Sequence, residues 1–229
     1  MNWAGNSGKP GSRSASGPFD VPRLITRQDK YSAVARQLQG RAGTLIDVGS
    51  RDGNLRKVLD VNAIQYFSSD LGPGHDYQLN LEDILPMPDR SFDIVVALDV
   101  LEHVEHIHQA FHELARLARH DLIIALPNMA SLRRRCSFFW RGHLLTDKYD
   151  LLLEHQKDRH RWLTVYSQAN AFIEHNAAVV GFKLINVVEQ LEGCTLLTRI
   201  ARLRLAERMM PKGLMTGRCI YFLVRVQHD

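Results

Sequence analysis

The segment Leu45-Ile46-Asp47-Val48-Gly49-Ser50-Arg51-Asp52-Gly53 decides the fold class. An apolar run that ends near an acid and is followed by two glycines predicts a buried strand, a tight turn and the start of a helix. Glycine at such a turn lets the backbone approach a ligand closely, and the first N–H groups of a helix have no partner within the helix. The segment therefore predicts a nucleotide-like ligand here, with an ordinary tight turn as the alternative.

Apolar runs on both sides of this segment continue the pattern. Four of them are typical of buried parallel strands, and helical or polar stretches separate them: Thr44–Val48, Gln65–Ser69, Asp93–Leu98 and Leu122–Leu126. Two later strands are predicted over Phe182–Val188 and Cys219–Val226. Apolar spacing predicts helices over Asp29–Gln39, 104–118, Ser167–Val180 and Leu196–Met209. This alternation of strands and helices predicts an α/β sheet with crossover helices.

Length and composition indicate one domain with additions. A chain of 229 residues can bury one full hydrophobic core. We expect residues 1–20 to form a disordered tail without a secretory signal, and residues 21–229 to form the domain. The apolar runs are too short to cross a bilayer. The cysteines are odd in number, widely spaced and without a C-x-x-C pair, which argues against disulfides or a zinc site and favours a reducing cytoplasm: Cys136, Cys194 and Cys219.

The net charge of +4 hides an uneven distribution along the chain. Residues 42–128 contain 6 Lys/Arg against 14 Asp/Glu, whereas residues 129–162 contain 8 against 4. The basic residues are divided between the tail and two later segments, so the charge by itself does not indicate nucleic-acid binding.

Two ligand-binding patterns can be compared with the glycine turn. The dinucleotide pattern G-x-G-x-x-G, started at Gly49, requires glycines where Arg51 and Asn54 stand. An acid followed by three alternate glycines is the pattern of the class I S-adenosylmethionine-dependent methyltransferases. Asp47, Gly49 and Gly53 match it, and only Arg51 departs from it. The turn therefore resembles that family.

The resemblance implies a specific fold and ligand. It implies an α/β, Rossmann-like, doubly wound sheet of seven mostly parallel strands with an antiparallel last strand. It also implies an enzyme with S-adenosylmethionine as its cofactor. On this basis the turn residues predicted to bind the cofactor are Asp47, Gly49, Ser50, Arg51 and Gly53.

Two segments further along the chain strengthen the resemblance. Asp70 and Leu71 follow the second strand about twenty residues after the turn, where a carboxylate can accept both ribose hydroxyl hydrogens. A surface acid at a strand end is the alternative for Asp70. The stretch Asn80–Asp93 resembles the family's third element, whose first residues contact adenine. Asn80 and Leu81 are the candidates for that contact, although Leu81 stands where the family often has an acid.

The most specific match follows the next strand. Asp99-Val100-Leu101-Glu102-His103-Val104 looks like the D-V-L-E-H segment that many small-molecule methyltransferases have beside the methionine half of the cofactor. Asp99 and His103 are therefore predicted to contact the cofactor. Since ligands of open α/β sheets bind at the carboxyl ends of the strands, all these segments are expected at one edge of the sheet.

No metal site is predicted from the histidines. His108 and His112 have the i, i+4 spacing of a metal pair, but histidines on a polar helix face are usually only solvated, and most members of the family need no metal. A hydroxyl or amine acceptor would benefit from a proton acceptor, whereas a carboxylate would need none. His103, His143 and His160 are the candidates, with His103 and His160 taken as the catalytic pair.

Residues 129–162 are predicted to be an insertion on the substrate side. Arginines at 133–135 and 141 are suited to a phosphate or carboxylate, and the aromatic residues at 138–140 to an apolar pocket or a membrane surface. A basic helix packed on the domain is the alternative. The layout from Leu126 to Phe182, with His160-Arg161-Trp162 near its end, resembles quinone-biosynthesis methyltransferases and the methionine-biosynthesis protein W.

The expected reaction is methyl transfer to a small molecule, anionic or amphipathic. Contact with a peripheral membrane or a lipid-like substrate is an open expectation, no stable nucleic-acid complex is expected, and the oligomeric state is undetermined. The alternatives are a nucleic-acid or protein methyltransferase, suggested by the basic segments, and a non-catalytic binding partner, suggested by Arg51.

Overall fold

The computed structural model describes residues 21–60, 62–144, 146–149, 159–192 and 212–226. The strands in these segments are β1 (Arg23–Thr26), β2 (Gly43–Val48), β3 (Ile64–Asp70), β4 (Tyr77–Gln78), β5 (Phe92–Leu98), β6 (Ala118–Pro127), β7 (Phe182–Leu191) and β8 (Thr216–Arg225). The helices are α1 (Lys30–Gln37), α2 (Ile107–Leu117), α3 (Leu132–Arg141) and α4 (Tyr166–Val179), with short 3-10 turns at Leu101–His103 and Asp147–Tyr149. The predicted tail and the predicted helix Leu196–Met209 lie outside the described residues.

All eight strands of the described segments form one sheet, in the order β1-β7-β8-β6-β5-β2-β3-β4. Neighbouring strands are parallel except at β8, which is antiparallel to both β6 and β7. The predicted Rossmann-like class with an antiparallel last strand is confirmed. The sheet has eight strands instead of seven because Arg23–Thr26 pairs with β7 at the edge. This four-residue strand has no continuous apolar run, and its pattern therefore did not predict it.

Both faces of the sheet are buried. In β5, Val95 and Ala97 belong to the cluster that contains α2 and α4, whereas Ile94, Val96 and Leu98 belong to the cluster that contains α1. A strand with two buried faces needs apolar residues at every position, and the central strands are therefore continuous apolar runs. The predicted apolar face of α2 packs in the first of these clusters.

The predicted helix after the glycine turn is not present. Residues 51–58 form successive turns instead, with Leu55 buried beneath them. Arg51 and Gly53 have φ angles of 47° and 60°, and residues in the left-handed region cannot continue a right-handed helix. Asp52, Gly53 and Asn54 are also poor helix formers.

The sheet topology determines where a ligand can bind. From β2 the chain continues outward through β3 to β4 and then returns to β5 on the other side of β2, so the strand order reverses at β2. A crevice opens outside the carboxyl ends of strands at such a switch point. The strand ends at Val48 and Leu98 border it. Within the described residues, no helix has the length and apolarity that a membrane span requires.

Candidate active site

The chain turns sharply at Gly49, directly after β2. Gly49 has a φ of 73°, and its N–H donates to the carbonyl oxygen of Ser69 at 2.8 Å. A Cβ atom at this position would lie 2.5 Å from Cγ2 of Val100. Glycine is therefore required for two reasons, the left-handed torsion and the close approach to the loop after β5.

Arg51 and Asp70 join the glycine turn to the end of β3. The N–H of Arg51 donates to Oδ2 of Asp70 at 3.0 Å, and the N–H of Leu71 donates to Oδ1 at 2.7 Å. The φ of 47° at Arg51 explains why the family pattern has glycine here, since a side chain in this region costs about 1–2 kcal/mol. Arg51 nevertheless adopts the left-handed torsion that glycine would provide.

A cavity of about 490 Å³ lies at the crevice. Most of the predicted cofactor residues line it: Gly49, Arg51, Asp70, Leu71, Asn80, Leu81, Asp99 and His103. Asp47, Ser50 and Gly53 do not. Asp47 is buried and accepts a hydrogen bond from Oη of Tyr66 at 2.8 Å, and burial raises its pKa to about 6. Asp47 therefore bonds to the neighbouring strand β3 and does not line the cavity.

Residues 79–82 form another wall of the cavity. Leu79 and Leu81 are buried and present apolar side chains, while Asn80 Nδ2 donates to Oδ2 of Asp83 at 2.8 Å. The Glu82 carboxylate accepts the N–H of Glu105 at 2.7 Å. This last bond attaches the wall to the loop after β5.

Asp99 begins that loop between two cations. Lys30 Nζ lies 2.8 Å from Oδ2, and Arg218 Nε lies 2.6 Å from Oδ1. Burial alone would raise the pKa of Asp99, but the charges of Arg218 and Lys30 outweigh it and hold the pKa below its usual value. Asp99 is therefore ionised, and a φ of 60° shows that its backbone is in the left-handed region.

Glu102 is the least expected group in the cavity. Its side chain is only 1% exposed, and neither carboxylate oxygen has a hydrogen-bond partner among the described residues. Burial, followed by the charge of Asp99, raises the pKa of Glu102 to about 8. A buried polar group without partners is costly, so such a group at a cavity wall points to a ligand.

The two histidines predicted to be catalytic lie together beside Glu102. The ring centroids of His103 and His160 are 4.6 Å apart, and Nε2 of His160 lies 3.9 Å from Oε1 of Glu102. Backbone bonds hold the two segments together, because the N–H of Arg161 donates to the carbonyl of Glu102 at 2.8 Å. In addition, Nε1 of Trp162 donates to the carbonyl of Val104 at 2.7 Å.

The other histidines considered from the sequence do not line the cavity. His143 is exposed, and its Nδ1 bonds the carbonyl of Leu144 at 2.9 Å. His108 contacts α4 through Oδ1 of Asn176 at 3.0 Å.

The insertion contributes one side of the cavity through Met129, Arg134, Thr146 and Lys148. Arg134 Nε bonds Oε1 of Glu192 at 3.2 Å. The other predicted arginines, at 133, 135 and 141, are exposed on α3 outside the lining. Three consecutive aromatic side chains on α3 are also exposed, by 58%, 78% and 80%: Phe138, Phe139 and Trp140.

Sequence reasoning missed Lys30, Glu102 and Arg218. Lys30 and Arg218 come from the first helix and the last strand, and no local pattern indicates that either reaches Asp99. Glu102 had a signal that was not used, since it stands inside the D-V-L-E-H match directly before His103.

The comparisons with known proteins agree with this geometry. The methyltransferase domain family matches residues 23–186. The S-adenosylmethionine-dependent methyltransferase from Archaeoglobus fulgidus has a similar fold, with a TM-score of 0.56 and 14% identity over 87% of this chain and 96% of that chain. Magnesium protoporphyrin IX methyltransferase from Synechocystis, solved with bound SAH, gives 0.54 and 16% over 86% and 81%. No curated protein matches the sequence significantly.

The chain belongs to the methyltransferase domain family. It is a class I enzyme, with S-adenosylmethionine as its cofactor. The cavity fits this cofactor, because a Cβ atom at Gly49 would obstruct the turn, the Asp70 carboxylate lines the edge expected for a ribose, and Leu79 and Leu81 offer an apolar wall for a flat ring.

Proposed function

We propose that this enzyme methylates a small-molecule acceptor, anionic or amphipathic, in the part of the cavity between Glu102 and Met129. One observation carries the proposal: the cavity extends beyond the predicted cofactor residues to Met129, Arg134 and Lys148 of the insertion. A volume of about 490 Å³ is in the range of about 300–1,000 Å³ that small-molecule sites occupy.

The charges at this end of the cavity support an anionic acceptor. Arg134 and Lys148 both line it. A guanidinium can bind a carboxylate or phosphate through two parallel hydrogen bonds. Arg134 already contacts Glu192, so its charge is partly compensated, and Lys148 adds the second cation. Of the four arginines that the sequence offered for the negative charge of the acceptor, at 133–135 and 141, only Arg134 lines the cavity.

The mechanism requires alignment more than proton transfer. The cofactor supplies a methyl group activated by a sulfonium. The cavity walls hold the acceptor atom behind that methyl group and exclude water. Glu102, His103 and His160 are the groups proposed to face the acceptor atom, and a hydroxyl or amine acceptor would lose its proton there.

The exposed aromatic residues of α3 support an amphipathic acceptor or a peripheral membrane contact. Phe138, Phe139 and Trp140 stand among arginines, and α3 contains no acid. Apolar rings beside cations are typical of helices that lie at a lipid surface. Cys136 and Cys219 are unpaired thiols, which is consistent with the expected cytoplasmic location.

A screen with labelled S-adenosylmethionine tests the proposal. It compares small aromatic and aliphatic acids, their neutral esters, amphipathic phenols, RNA, DNA and protein acceptors. We expect label only in small molecules, with acids preferred over their neutral counterparts. Label in RNA, DNA or protein, and none in any small molecule, would refute the proposal.

A pair of variants tests the acceptor side separately. The double variant Arg134→Gln with Glu192→Gln removes the cavity cation together with the charge of its carboxylate partner, and Arg133→Gln removes an exposed cation one residue away. We expect the first to raise the acceptor KM about tenfold, equivalent to one charge-assisted hydrogen bond, and the second to leave it unchanged. The cofactor Kd should stay the same in both.

A further inference from the structure

Glu102, His103 and His160 have the composition and spacing of a metal site. One ligand atom from each residue lies within 4.8 Å of the others. Nε2 of His160 and Oε1 of Glu102 are 3.9 Å apart, which is too long for a hydrogen bond. In a tetrahedral zinc site with bonds of about 2.0–2.2 Å, two ligand atoms lie about 3.3–3.6 Å apart, so these side chains need to move closer by less than about 1.5 Å to hold an ion.

The hydrogen bonds of the two rings orient their lone pairs. Nδ1 of His103 lies 2.9 Å from the carbonyl oxygen of Arg159, and a carbonyl only accepts, so Nδ1 carries the hydrogen. Tyr149 Oη donates to the carbonyl of Trp162 at 2.6 Å and must therefore accept from Nδ1 of His160 at 3.1 Å. In each neutral ring the lone pair is then on Nε2, and an N–H bonded to a carbonyl or hydroxyl is the usual arrangement behind a metal-bound histidine.

Glu102 provides an independent observation. It is 1% exposed, it faces the cavity, and its two oxygens have no hydrogen-bond partner among the described residues. As a bare carboxylate, it would also repel the anionic acceptor that Arg134 and Lys148 favour. A divalent cation bound to the carboxylate would remove this conflict, because the carboxylate and the ion together carry a net positive charge.

We propose that Glu102, His103 and His160 bind one divalent transition-metal ion of the Zn²⁺ type at the acceptor end of the cavity. Two imidazoles and one carboxylate suit Zn²⁺, Co²⁺ or Mn²⁺ and not Mg²⁺, which prefers oxygen ligands. Three protein ligands leave a position for an acceptor oxygen, whose proton the ion makes easier to remove. The inference rests on the proposed function for the position of the acceptor, and His103 and His160 would then act through the ion.

Metal binding to the tag-free chain of 229 residues tests this inference. The protein is stripped with a chelator, and Zn²⁺, Co²⁺ and Mg²⁺ are titrated by calorimetry without cofactor or acceptor. We expect one Zn²⁺ per chain with micromolar or tighter affinity, no heat from Mg²⁺, and a visible absorption spectrum with Co²⁺. Zn²⁺ should also raise the Tm.

Three variants distinguish the cluster from adventitious sites. Glu102→Gln and His160→Asn should each weaken Zn²⁺ binding at least tenfold, since even outer-sphere changes cost about 10–100-fold. His143→Asn, which removes an exposed histidine outside the cavity, should not change it. His160→Asn keeps the test decisive if Glu102→Gln does not fold, because His160 lies in a loop.

Absence of stoichiometric binding, or equal binding by wild type and His160→Asn, would overturn the inference. Methyl transfer by the stripped enzyme at the full rate would overturn it too, and would leave the proposed function intact. Failure of the acceptor screen would refute the proposed function without affecting the Zn²⁺ titration.

Discussion

The replacement Asp70→Asn tests the cofactor site most directly. Each carboxylate oxygen of Asp70 accepts one backbone N–H, from Leu71 at 2.7 Å and from Arg51 at 3.0 Å. A carboxylate oxygen has two lone pairs, so each oxygen can still accept a second hydrogen bond. The two remaining positions match the two hydroxyls of a ribose. An amide offers only one acceptor oxygen, so at least one ribose bond must be lost.

The expected magnitude follows from hydrogen bonds to a charged group. Such a bond contributes about 1.5–3 kcal/mol, so the Kd for the cofactor should rise at least about tenfold. Calorimetry with S-adenosylmethionine and with its demethylated product measures the change. Nicotinamide dinucleotides should give no heat with the wild type, because Arg51 and Asn54 break their glycine pattern.

Asp76→Asn is the matched control. The Asp76 carboxylate accepts the N–H of Ser68 at 2.7 Å from the same strand, but Asp76 does not line the cavity. Both variants lose a backbone interaction, and both should lower the Tm. Only Asp70→Asn should weaken cofactor binding. A folded Asp70→Asn enzyme with the wild-type Kd would show that Asp70 is a structural acid of the turn.

Three further replacements test the turn and the sheet. Gly49→Ala should lower the free energy of unfolding by about 1–3 kcal/mol. Adding Val100→Ala to this variant should restore only part of the loss, because it removes the clash but not the torsional strain. Full recovery in thermal melts would contradict this explanation. Arg51→Gly should be about 1 kcal/mol more stable than Arg51→Ala, because both variants lose the arginine side chain and only glycine is unstrained at a φ of 47°. Equal urea midpoints for the two variants would show that no strain is present. Asp93 accepts the N–H of Thr44 at 2.9 Å, and this bond is the main reason that its pKa lies below the usual value. The stability that this Asp93 bond contributes is therefore present above the unfolded-state pKa of about 3.9 and is lost as the pH falls through the folded-state pKa. Asp93→Asn should lower the free energy of unfolding by about 1.5 kcal/mol at pH 7 and by less at pH 3, as measured in urea titrations. A difference that does not depend on pH would refute the assignment.

Local patterns predicted the central sheet because its strands are buried on both faces. Ile94–Leu98 is apolar at every position, Leu45–Val48 is apolar except at Asp47, and this requirement is visible in the sequence. The edge strand Arg23–Thr26 has only one neighbour and no such requirement, so it was not predicted. The helix predicted after Gly49 was wrong because two left-handed residues interrupt it.

The sequence by itself determined the order of the cofactor segments, since the glycine turn, Asp70 and Asp99–His103 each follow a recognisable strand. Tertiary structure decided what surrounds them. Lys30 and Arg218 are 188 positions apart in the chain and meet on Asp99 only because α1 and β8 reach the same edge of the sheet. The pairing of Glu102 with His160 likewise depends on backbone bonds between distant segments. Periodicity reports which face of an element is buried, but contacts between side chains far apart in sequence depend on how the elements pack, and no local pattern encodes them.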